Sequence, residues 1–178
     1  MGVTASVIGI GNLLLQDEGV GVHAINHLRE RYSFPAGVDL IDGGTMGLDL
    51  LPYIEGRDHL MLIDAVDFGE APGTIRIIED TNMKVFLDLK FSVHQIGIPD
   101  MLFALDFKGI TPPSMCLVGI QPAKVEAGSH PSPLIRDRMS GLYAIILEKL
   151  GSWGIVPTVH DEPLAATPEY RHVSGDSI

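Results

Sequence analysis

Cysteine is almost missing from this 178-residue chain. Cys116 is the only one, so an internal disulfide is impossible and a reducing, cytoplasmic compartment is expected. Positive charge is also scarce: 12 Lys and Arg stand against 23 Asp and Glu, a formal net charge of -11. Nucleic acids and anionic membranes need clustered cations, so neither is an expected partner. No apolar run reaches the roughly 18 residues of a membrane span, and no signal-type segment opens the chain. Neither a P-loop nor a Gly-x-Ser-x-Gly elbow is present, and Cys116 sits inside an apolar strand pattern, which removes three common routes to catalysis. Gly9-Ile10-Gly11 starts like a dinucleotide fingerprint, but Leu14 stands where the third glycine is required. Asp17-Glu18 then fills the place where a pyrophosphate needs bare amides.

What the chain does have is apolar strand after apolar strand. Hydrophobic residues make up 46% of it, enough for one sizeable core. Strands are expected at Val3 to Ile8, Val38 to Ile41, His59 to Ile63, Thr74 to Ile78 and Ser114 to Ile120. Helices are expected at Gly19 to Tyr32, from a Thr45 cap to Ile54, at Gly97 to Phe107 and at Ser132 to Leu150. The segment Asn82 to Lys90 stays ambiguous. Alternation of this kind predicts an α/β fold: three layers, α/β/α, around a twisted, mostly parallel mixed sheet of about five strands. The Thr74 to Ile78 strand has no helix before it and is expected to run antiparallel. Residues 1–151 form the expected domain. Residues 152–178 are polar and lack periodicity, so a flexible tail is expected there. A monomer is the expected state.

In an open α/β sheet, ligands gather outside the carboxyl ends of the strands. Glu18 follows the first strand, Asp42 ends the second, Asp64 ends the third, and Gln121 ends the last buried one. His94 lies at the entry to a helix. Two carboxylates about 6 Å apart, at an effective dielectric near 20, repel by roughly 2.8 kcal/mol, about two pKa units. One of them must hold a proton, or a cation must lie between them. Glu18, Asp64 and His94 make an O, O, N ligand set that suits zinc, nickel or manganese, with positions left open for water or substrate. Each has a plain alternative: a first-turn acid, a turn cap and a helix-entry hydrogen bonder. Asp42 before two glycines reads as a turn former, Asp17 as an acid either solvated or bonded to loop amides, and His23 and His27 as a solvated helix face. Gln121 is left open between a structural and a functional role.

These stretches together resemble the nickel-iron hydrogenase maturation endopeptidases. The resemblance is carried by Gly9 to Glu18, Asp42-Gly43-Gly44-Thr45, Leu62-Ile63-Asp64-Ala65, Ala71-Pro72-Gly73-Thr74, Ser92-Val93-His94-Gln95 and Gly119-Ile120-Gln121-Pro122, in family order. It covers about Val3 to Leu150. It implies a protease that removes a C-terminal extension from the hydrogenase large-subunit precursor after nickel insertion. Metal positions are implied at Glu18, Asp64 and His94. The nickel is implied to arrive in the precursor, with zinc or cadmium as substitutes in vitro. Two mechanisms remain open: chemistry by the metal itself, or by Asp17 or Asp42 as general base. Two other classes also remain: a hydrolase with its own tightly bound zinc, and a nickel-binding chaperone without protease activity.

Overall fold

The computed structural model describes residues 2–80, 82–83 and 98–160. Five strands form the main sheet in the order β3-β1-β4-β6-β5. They are β1 (Ala5–Ile10), β3 (Val38–Gly44), β4 (His59–Ala65), β5 (Ile75–Glu79) and β6 (Ser114–Ile120). All neighbours are parallel except β5, which runs antiparallel to β6 from Ile75 opposite Ile120. The sheet is therefore the mixed, mostly parallel one expected, with its antiparallel strand at the edge.

Period-2 alternation divides each central strand between two cores. Ala5 and Val7 of β1, Met61 and Ile63 of β4, and Cys116 and Val118 of β6 face one side. There they meet Ala24, Ile25 and Leu28 of α1 (Val20–Arg31), and Leu142, Ile146 and Leu150 of the long helix Pro133–Ser152. Ile8, Leu60, Leu62, Met115 and Leu117 face the other side. Their partners are Leu50, Ile54 of α2 (Leu51–Ile54), and Met101, Leu102 and Leu105 of α3 (Ile98–Phe107). The long helix is α4 in chain order. Cys116 is fully buried, as its strand position predicts. Among the described residues no helix is long and apolar enough to cross a membrane.

Several boundaries differ from expectation for local reasons. β1 continues to Ile10 and β3 to Gly44, because backbone pairing needs no side chain. The predicted Thr45 cap does not form. Met46 occupies that position, and a 3-10 turn at Gly47–Leu50 precedes α2. Residues 152–160, assigned to the tail by composition, are docked. Ile155 is buried in the first core, and β7 (Thr158–Val159) pairs antiparallel with β2 (Tyr32–Ser33). Trp153 stacks on His59 with ring centroids 4.5 Å apart. Residues 161–178 and most of Asn82 to Lys90 lie outside the described residues.

Candidate functional site

The carboxyl edge of the sheet is built by close backbone approach. A Cβ on Gly9 would lie 2.1 Å from the Gly21 carbonyl oxygen, and one on Gly21 would lie 2.1 Å from that of Ile63. Glycine at both positions lets the first turn of α1 press against β1 and β4. Gly11, at φ 133, has no space either: its Cβ would stand 1.8 Å from the Glu18 carbonyl oxygen. The loop therefore doubles back on itself and returns Glu18 to the end of β1. Glu18 lies in a 3-10 turn, Gln16–Gly19, that leads into α1.

Asp64 is the penultimate residue of β4 and only 5% exposed. Burial pushes its carboxyl well above the usual range, the Ala65 amide offsets part of this, and the nearby Glu18 charge raises it further. Glu18 is thus near enough to Asp64 for its charge to be felt there. Glu18 Oε2 is buried and, among the described residues, has no hydrogen-bond partner, which leaves an acceptor unsatisfied there. His94, the third expected ligand, lies outside the described residues. Among the described residues no three ligating side chains converge. Glu18 and Asp64 supply carboxylate oxygens of the kind a divalent metal takes.

Asp17 and Asp42, the two candidate bases, differ sharply. Asp17 is fully buried and its carboxylate accepts four hydrogen bonds. Oδ2 accepts from the amides of Ala123 (2.9 Å) and Lys124 (2.7 Å) and from Ser132 Oγ (2.9 Å), and Oδ1 accepts from the Ser132 amide at 2.5 Å. This places it as the organiser of the 122–132 loop, the reading as an acid bonded to loop amides. Burial and these four bonds set Asp17 apart from the exposed Asp42, while Oδ1 accepts only one of them. Asp42 is exposed, and its Oδ1 accepts from the Gly44 amide at 3.1 Å in an Asx turn. A bulge at Gly43, where Ile10 pairs with Gly44 after Gly9 pairs with Asp42, bends β3 at this point. A side chain at Gly43 would have to displace Ile8, whose Cγ2 lies 2.7 Å from where its Cβ would stand.

Gln121 proves to be a clamp. Its Oε1 accepts from the Phe68 amide at 2.7 Å and its Nε2 donates to Asp67 Oδ1 at 3.1 Å, tying down the loop after β4. His23 and His27 do not form a freely solvated face. Burial lowers both imidazoles, with His130 adding to the effect on His23, and His23 Nε2 is buried without a partner among the described residues. His27 stacks on Tyr143 of α4 at 3.8 Å. Ser132 was missed as a site-organising residue. Before Pro133 it reads as a helix cap, yet its hydroxyl caps nothing in α4 and donates to Asp17 instead.

Comparison with known proteins gives one consistent family. A family model described as "Hydrogenase maturation protease" matches residues 22–149. The chain is similar to a hydrogenase expression/formation protein of Azotobacter vinelandii, 41% identical over 168 residues, 91% of this chain and 81% of that protein. It is also similar to the hydrogenase 2 maturation protease of Escherichia coli K12, 37% identical over 160 residues, 87% of this chain and 98% of that one. Among solved structures, the hydrogenase maturating endopeptidase HybD of E. coli superposes with a TM-score of 0.83 at 34% identity, covering 89% of this chain and 98% of its own.

Proposed function

The chain belongs to the hydrogenase maturation protease family, and from that premise we propose that it reads nickel in the hydrogenase large-subunit precursor through Glu18, Asp64 and His94. Membership makes it an endopeptidase that processes a hydrogenase precursor. The bond cut, in this reading, releases a C-terminal extension once nickel has been inserted. The metal is cargo of the substrate and need not stay with the protease. Zinc or cadmium would substitute for it in vitro.

One observation supports this reading above the others. Asp64 is forced toward its neutral form beside Glu18, whose Oε2 has no partner among the described residues. A divalent cation offsets the repulsion, displaces the Asp64 proton and occupies the open acceptor. An apo precursor brings no such cation, so the carboxylates remain a barrier to docking. Nickel thereby becomes the licence for cleavage. Next to the scissile peptide it would polarise the carbonyl or the attacking water. Water adds to the carbonyl carbon, the C–N bond breaks, and the proton released by the water ends on the leaving amine.

A second reading uses nickel for recognition only, with Asp42 as general base. It is favoured by the exposure of Asp42 at the carboxyl edge, where Asp17 is closed off. Incubation with nickel-free and nickel-loaded precursor, followed by intact mass, tests the proposal. Only the loaded form should shorten. Equal shortening of both forms would sink metal reading. Unchanged mass with stable binding would indicate a nickel-binding chaperone, and stoichiometric zinc in the purified protein would indicate a resident-metal hydrolase.

A further inference from the structure

Resting on the reading that a hydrogenase precursor is the substrate, we propose that Leu14, with Met46 and Leu48 of the neighbouring loop, forms the apolar surface on which the precursor docks around the acidic cleft. Leu14 is 71% exposed. A flexible loop would let such a side chain fold inward, but this loop is pinned. The Leu14 amide donates to Asn12 Oδ1 at 2.9 Å, the Leu15 amide to the Asn12 carbonyl at 3.1 Å, and the Gln16 amide to the Gly128 carbonyl at 2.9 Å. The Gly128 amide returns a bond to the Leu14 carbonyl at 2.9 Å. Gln16 is held at φ 49, a left-handed conformation that a non-glycine residue adopts only when its surroundings impose it. The backbone thus displays a leucine in water and keeps it there, with its order already established before any partner arrives.

The second loop is built the same way. Gly44 and Gly47 take φ 42 and φ 55, and the Met46 amide donates to the Gly43 carbonyl at 2.9 Å. Met46 and Leu48 emerge 41% and 52% exposed. A bond from the Gly11 amide to the Gly44 carbonyl, 2.9 Å, ties the two loops into one rim. Glu18 follows the first loop in the chain, exposed Asp42 precedes the second, and exposed Asp49 follows Leu48. The occupant that matches is a polypeptide presenting a cationic centre inside an apolar surround. A second copy of this chain does not match, because a two-fold contact would set acid against acid on chains of net charge -11. Apolar anchors around a desolvated electrostatic centre are the usual layout of a productive interface.

The test is steady-state cleavage of nickel-loaded precursor by the full chain. Leu14→Ser and Leu48→Ser should each raise KM about tenfold with kcat within about twofold, since docking energy shared by ground and transition states appears in KM. Leu14→Met should restore the wild-type KM. Val156→Ser serves as control: Val156 is 73% exposed but follows Trp153, which stacks on His59 at the amino end of β4. Thermal melts should show all four variants folded. Wild-type KM in both serine variants overturns the docking surface while leaving the protease reading intact. Failure of the wild type to shorten loaded precursor instead overturns the protease reading. If light scattering shows a wild-type dimer that Leu14→Ser dissociates at unchanged KM, the rim joins copies of this chain and the proposal is wrong.

Discussion

Asp17, Asp42 and Asp64 are three aspartates at one sheet edge, and their surroundings give them three different jobs. Asp17 binds three amides and a hydroxyl from a loop more than a hundred residues away in sequence. Asp17→Ala strands the two buried Ser132 donors, each at about 1–3 kcal/mol, so denaturant melts should show a loss of about 2–6 kcal/mol. Asp42 holds one exposed turn amide, and Asp42→Asn should change stability by less than about 0.5 kcal/mol. Its processing rate then separates the two mechanisms: a large loss supports Asp42 as base, and an intact rate leaves the chemistry to the metal. Asp64 carries the opposite sign in stability. Its native pKa is raised above its ordinary value of 3.8, so the native state binds more protons than the unfolded chain in the window above that value. Stability contributed by neutral Asp64 is full at low pH and is lost as pH rises through the native pKa. Asp64→Asn should therefore melt higher than wild type at neutral pH, by about 2–4 °C for each 1 kcal/mol relieved, with the gap closing in acid. The same variant should fail to process nickel-loaded precursor. A wild-type melting temperature at neutral pH would contradict the burial and repulsion argument. That Asp42 and Asp64 come at the carboxyl ends of their strands was legible from the sequence. Which loop Asp17 binds was not, because its partners lie more than a hundred residues away and no local pattern encodes that path.

At the scale of elements, the strands were the most legible part. Central parallel strands are buried on both faces, so their apolar runs are unbroken and hard to confuse with anything else. Turn chemistry was less legible. Thr45 matches a cap signal, yet the bulge at Gly43 and the positive φ of Gly44 redirect the chain so that Met46 begins the next turn. β2 and β7 have two residues each and carry no periodicity at all. The glycines of the first loop acquire a sharper meaning. Gly11 is there because the Glu18 carbonyl oxygen occupies the space of a Cβ, at 1.8 Å. Gly11→Ala must push the loop off β1 and with it Glu18. The expected result is a folded protein with a modest stability loss, about 1–3 kcal/mol from strain, and processing reduced at least about tenfold. Circular dichroism and a precursor cleavage assay check the two halves. Wild-type cleavage would mean that the position of Glu18 does not matter to the reaction.

Over the whole molecule, the end of the domain is where composition and packing disagree most. Polar residues and prolines past Gly151 carry no repeating pattern, so a boundary there is a natural inference from sequence. Packing continues nonetheless. Trp153 lies against His59, with Lys149 5.1 Å from the centre of its indole, and Ile155 seals the base of the first core. The His160 amide donates to the Arg31 carbonyl at 2.9 Å, joining the chain beyond α4 to the end of α1. These contacts sit at the amino end of the sheet, opposite Glu18 and Asp64. They should therefore govern stability without touching the chemistry. A chain ending at Gly151 loses the Ile155 side chain, whose burial is worth about 1.5–3 kcal/mol, together with the tryptophan stack. It should melt about 5–15 °C lower than a chain ending at His160, by the usual scaling for a domain of this size. At a temperature where both are folded, their kcat on loaded precursor should agree within about twofold. Equal melting temperatures would show that residues 152–160 are not part of the folded unit. A kcat that falls with the truncation would show that the two ends of the sheet are coupled.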